Sequence, residues 1–151
     1  MNRRRLVGIY VWHGKAYLPV QARLESGMWM DLEPVYIADL NTKDLLLAIE
    51  KVLAAGHPRL PDPTREEMRQ RKDPILKATK AHSWKELART GAAYSISWTG
   101  EEITVYMSRL DKKGRWEYDP EKTRAFPPET PLEEIVAVIL EDIRSRSEVW
   151  Q

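Results

Sequence analysis

The stretch Tyr94-Ser95-Ile96-Ser97-Trp98-Thr99-Gly100-Glu101-Glu102-Ile103-Thr104-Val105-Tyr106-Met107 decides the fold. Tyr94, Ile96 and Trp98 alternate with serines, and Ile103, Val105 and Met107 alternate on the return. Successive side chains of a strand point to opposite faces, so each half reads as a strand with one buried side. Thr99-Gly100-Glu101 supplies the turn between them, and Asp111-Lys112-Lys113-Gly114 turns the chain again into Trp116 and Tyr118. This is an antiparallel meander.

Upstream, Leu6-Val7-Gly8-Ile9-Tyr10-Val11-Trp12 is rich in strand formers and ends at the turn signal His13-Gly14-Lys15. Tyr17-Leu18-Pro19-Val20 returns. Pro19 has no N–H for a ladder, so this strand is expected at an edge or with a bend. After Ser26-Gly27, a third strand runs from Met30 to Ile37. Its start places Met30 and Leu32 on one face and Asp31 and Glu33 on the other.

Two long helices accompany these strands. Asn41 caps the first, whose Leu45, Ile49, Val52 and Leu53 share a face, and Gly56 with Pro58 ends it. The last opens at Thr130-Pro131-Leu132-Glu133, read as a cap, a proline at the first helical position and a capping-box glutamate. Leu132, Ile135, Val136, Ile139, Leu140 and Ile143 form its apolar face. Between them, residues 57–74 are broken by four prolines. Thr64-Arg65-Glu66-Glu67 and Ser83-Trp84-Lys85-Glu86 are capping-box patterns, the first opening a helix that is polar all round. Runs of strands with separated helices predict an α+β fold. The expectation is a single domain over residues 1–151, with an antiparallel or mixed β-sheet and two main helices packed on one face.

Composition narrows the function. The chain has six Trp and six Tyr, no Cys and three His among 151 residues. Trp and Tyr combine large rigid contact area with a polar tip and are enriched in interface cores, so the balance points to binding. Without cysteine there is no disulfide framework and no thiolate chemistry. No run approaches the roughly 20 apolar residues of a membrane span. The net charge of +1 hides a polarity: residues 65–92 carry eight basic and four acidic groups, residues 93–151 eight basic and twelve acidic.

Catalytic patterns are sparse. His13, His57 and His82 have no i,i+4 partner, and each reads as a turn or surface histidine; no metal or other cofactor is expected. Neither a phosphate-binding glycine loop nor a nucleophile elbow occurs. Asp31 and Glu33 could hold a divalent ion or act as an acid/base pair in a small hydrolase, or simply pair with nearby basic groups. Arg65, Arg69, Arg71, Lys72, Lys77, Lys80 and Lys85 lie near Trp84, which suggests a nucleic-acid-binding module as the alternative function.

Three stretches point further. They are Tyr17-Leu18-Pro19-Val20-Gln21-Ala22-Arg23, then Met28-Trp29-Met30-Asp31-Leu32-Glu33-Pro34, then Gly56-His57-Pro58 running on to Lys72-Asp73-Pro74-Ile75-Leu76-Lys77 and Ser83-Trp84. With Phe126-Pro127 before the last helix, they resemble a family of contact-dependent growth inhibition immunity proteins. The likeness runs in order along nearly the whole chain, without any single signature motif. The resemblance implies a small bacterial cytoplasmic protein that is not an enzyme. It would bind and block the cognate toxin domain of a cell-surface effector, a domain that is often a nuclease. No direct contact with nucleic acid or membrane is then expected. The near-neutral charge departs from strongly acidic nuclease inhibitors, so the face that meets the toxin stays open. Loops carry function, and the turn and strand start that follow the second hairpin strand supply the expected toxin-binding residues: Glu25, Trp29, Asp31 and Glu33.

Overall fold

The computed structural model describes residues 4–146. In chain order its elements are β1 (Arg5–Trp12), β2 (Lys15–Leu24), β3 (Trp29–Asp39), α1 (Thr42–Ala55), β4 (Arg59–Leu60), α2 (Arg65–Gln70), α3 (Pro74–Thr79), α4 (Trp84–Thr90), β5 (Ala92–Trp98), β6 (Ile103–Leu110), β7 (Trp116–Tyr118), β8 (Arg124–Phe126) and α5 (Leu132–Ser145). The strands form one sheet in the order β3-β2-β1-β5-β6-β7, with β4 added to β2 and β8 to β6. Every pairing is antiparallel except the short β2–β4 one. The fold is α+β, as the alternation of Tyr94–Met107 predicts.

Alternation sorts the strand residues onto two faces. Val7, Ile9 and Val11 of β1 join Ile96, Val105 and Met107 in the main core. The same cluster takes Leu45, Ile49 and Val52 from α1 and Ile135, Ile139 and Ile143 from α5. The two long helices therefore lie on one face. Each fully buried Ile or Leu contributes about 1.5–3 kcal/mol relative to exposure, so this face holds most of the hydrophobic stabilisation. On the other face Trp12 and Tyr17 pack with Ile75, Ala81 and Leu87, which the short helices α3 and α4 bring in. That second layer is an addition to the expected architecture.

The helix ends follow their caps. Asn41 Oδ1 accepts the Asp44 N–H at 2.8 Å, and Gly56 closes α1 at φ 74°. Thr64 and Glu67 complete a capping box on α2, which buries no residue. Ser83 caps α4 through the Glu86 N–H. Thr130 does not cap α5. Its hydroxyl donates to the Pro127 carbonyl at 2.8 Å, and Pro131 occupies the N-cap position with no side-chain bond. Proline there already sets the entry angle, and Glu133 and Glu134 face the positive helix end.

Pro19 sits in an interior strand, with β1 on one side and β3 on the other. The bend is present: the β2–β3 register shifts between Pro19 and Val20, which pair with Val35 and Leu32 and leave Glu33 and Pro34 as extra residues. Pro19 also lies past Tyr17, the last β2 residue paired with β1, so its missing N–H breaks no ladder on that side. Beyond the Tyr10–Tyr17 pair the β1–β2 register ends, although both strands continue. The ring of His57 fills the gap. Its Nε2 accepts the Leu6 N–H at 3.1 Å, and its Nδ1 lies 2.8 Å from the Gln21 carbonyl oxygen.

Candidate functional site

Two adjoining clefts open at this splayed end of the sheet, and both are lined by Trp29 and Leu24. The first has a volume of about 1160 Å³. Arg4 and Arg5 enter it from the start of β1, Arg23 from the end of β2, and Arg59 from β4. Parallel pairing of β4 to β2 places Arg59 opposite Arg23. The Arg23 N–H bonds the Pro58 carbonyl at 2.9 Å, which ties the proline-rich segment to the sheet. Trp29 stands between the clefts, with the Arg23 guanidinium 4.8 Å from its ring centre and the His57 ring edge-on at 4.7 Å. Glu25 is the acidic residue of this lining.

The second cleft, about 580 Å³, is built around Asp31. Its carboxylate accepts the Tyr10 hydroxyl at 2.8 Å and the Gln21 amide N–H at 2.8 Å. Gln21 is only 6% exposed, and its amide lies over Gly8, where a β-carbon would come within 3.4 Å of it. The bond to Asp31 fixes which way that amide points, because a carboxylate only accepts. Gln21 Oε1 is left buried without a partner among the described residues. Burial pushes the Asp31 carboxyl above its ordinary range against the two donors, and burial together with the Asp31 charge pushes Tyr10 well up. The Arg71 guanidinium donates to the Asp31 backbone carbonyl.

Aromatic groups border this cleft. Tyr10, Trp84 and Trp116 form a triangle of ring contacts at 5.6, 6.0 and 6.2 Å, and Tyr106 meets Tyr118 at 5.0 Å. Met28, Met68, Trp84 and Tyr118 are among the exposed large apolar side chains. Such flexible methionines and rigid rings supply adaptable contact area.

The structure brings three of the four sequence-predicted residues to the clefts. Glu25 and Trp29 line the first, Trp29 and Asp31 the second. Glu33 falls in the bulge and pairs with Lys77 of α3 at 3.3 Å on the surface. The two carboxylates of the hydrolase reading are thus held by different partners. No cluster of His, Asp or Glu suited to a metal ion occurs among the described residues. In the basic segment, Lys77 is taken by Glu33 and Arg71 by Asp31, while the Trp84 ring rests on Tyr10 and Trp116. His57, read from sequence as a turn or surface histidine, instead bridges backbone groups of β1 and β2. The arginine cluster was also missed; its members come from three distant segments and share no spacing.

Solved structures share this fold, among them two that match nearly the whole chain. One is the protein of unknown function NMB0488 from Neisseria meningitidis, at 13% identity and TM-score 0.65, over 94% of this chain and 95% of that one. The other is a chain of the CdiA-CT/CdiI toxin and immunity complex from Yersinia pseudotuberculosis, at 13% identity and TM-score 0.66, over 95% and 97%. At this identity the likeness is one of fold. No family model matches the chain, and no curated protein matches it by sequence. Among the described residues, no helix is long and apolar enough to cross a membrane.

Proposed function

We propose that this chain is an immunity protein that binds and neutralises the toxin domain of a contact-dependent growth inhibition effector. It acts as a single immunity-protein-like domain in the cytoplasm and covers its partner without turning over a substrate. The observation that carries this reading is the match over 95% of the chain to a member of a toxin and immunity complex. The surface supports it independently. Aromatic anchors with charged neighbours and adaptable apolar groups are what a high-affinity protein interface uses. The proposed contact is centred on Trp29, with Glu25 beside it, Asp31 shaping the neighbouring wall and Glu33 at the margin. Occlusion follows from docking a rigid body over the toxin's active site or over a surface the toxin needs.

Co-expression tests the reading. Cells producing the toxin domain encoded beside this chain should survive when the chain is present, and the two proteins should co-purify one to one. Killing that persists at full expression of the chain contradicts it.

A further inference from the structure

Arg4, Arg5, Arg23 and Arg59 line one cleft, and among the described residues none of them has a carboxylate within ion-pairing distance. Some exposed cations elsewhere are paired, as Lys15 is with Asp39 and Lys77 with Glu33, and others are not; what distinguishes these four is that they converge on one cleft. Four like charges gathered around one cavity repel one another, and among the described residues Glu25 is the one acidic group in its lining. Guanidinium groups recognise carboxylates and phosphates in a forked, bidentate geometry. We infer that this cleft is the seat of an acidic segment of the protein partner, whose Asp or Glu carboxylates pair with Arg23 and Arg59. The inference rests on the immunity reading and specifies the chemistry of its partner.

Two observations favour carboxylates on a protein over a nucleic-acid backbone. Single-stranded nucleic acid is held largely by bases stacked on aromatic faces. Here the rings beside the cleft are already engaged by arginine: Arg23 sits over Trp29 at 4.8 Å and Arg5 over Trp98 at 5.3 Å. The second is that the structural neighbour comes from a complex of two proteins. Two of the arginines are also pre-positioned. Arg23 is held by its ring contact, and Arg4 donates to the Ser97 hydroxyl at 3.3 Å. Less side-chain freedom is therefore lost when a partner binds.

The test is a titration of the toxin domain with the wild-type chain, R59E and R23E/R59E, at low and at physiological salt, with decathymidylate as a second probe. Arg59 is exposed and its side chain makes no hydrogen bond among the described residues, so R59E keeps the fold even if R23E disturbs Trp29. Toxin affinity should fall about tenfold in R59E and about a hundredfold or more in R23E/R59E, with a shallower salt dependence in both. Unchanged affinity in both variants overturns the inference and leaves the immunity reading standing. A wild-type chain that binds no toxin removes both. Decathymidylate that binds the wild type and is lost in R59E overturns the carboxylate assignment in favour of nucleic acid.

Discussion

His57 donates a hydrogen bond from Nδ1 to the carbonyl oxygen of Gln21, across 2.8 Å. The proton is on Nδ1 because a carbonyl can only accept, and because Nε2 accepts the Leu6 N–H. One side chain thus replaces the ladder where β1 and β2 part. Replacing His57 by Ala or Phe should cost about 2–3 kcal/mol, since a backbone donor and a backbone acceptor both lose their partner. Urea unfolding measures this. Phe keeps an aromatic ring beside Trp29, so an H57F protein as stable as wild type would show that packing, and not hydrogen bonding, matters there.

Asp31 and Asp142 should respond to pH in opposite senses. Burial raises the Asp31 carboxyl from its ordinary 3.8, so the folded chain holds that proton more tightly than the unfolded chain. Its contribution is greatest below the ordinary value and is lost as pH rises through the raised one. The stability of wild type relative to D31N should therefore fall as pH rises above about 3.8. A difference that rises over that range contradicts the assignment.

Asp142 is opposed by burial but is held below its ordinary 3.8 by Lys122, Tyr94 and Arg146. Lys122 and Arg146 each approach it at 2.7 Å, and the Tyr94 hydroxyl at 2.6 Å. Its contribution is present above the ordinary value and lost as pH falls through the lowered one. D142N should cost about 2–3 kcal/mol near neutrality, with the deficit shrinking in acid. Arg146 also donates to the Ser108 carbonyl, so the network joins α5 to β6. A deficit that stays constant with pH would mean that ionisation of Asp142 plays no part.

Gly91 is needed for space. A β-carbon there would come within 2.6 Å of two backbone oxygens, those of Leu87 and Val11. Neither can move without shifting α4 or β1. G91A should destabilise by about 3 kcal/mol or more, at the upper end of overpacking costs. A melting temperature equal to wild type would contradict the close approach.

Much of the fold was legible because it rests on periodic burial. Tyr94, Ile96 and Val105 alternate, Leu45, Ile49 and Val52 recur at helical spacing, and both patterns met in one core. What stayed hidden depends on contacts without a period. The two residues of β4 pair with β2 after a loop, and only that pairing sets Arg59 against Arg23. His57 looked like a turn or surface histidine because its partners are backbone groups of Leu6 and Gln21, which sequence does not mark. The strand parity of Asp31 and Glu33 was readable, but the bulge that separates their surroundings was not. The cap on α3 was readable and passed over: Asp73 accepts the N–H groups of Ile75 and Leu76, just before Pro74 begins the helix.

The central claim is that the chain silences a toxin by sitting on it. Titrating purified chain into a fixed amount of the toxin domain, and following the toxin's remaining activity, tests this most directly. The activity should fall linearly and reach zero at one molar equivalent. Full activity in the presence of excess chain, or complete loss at a small fraction of an equivalent, would contradict it.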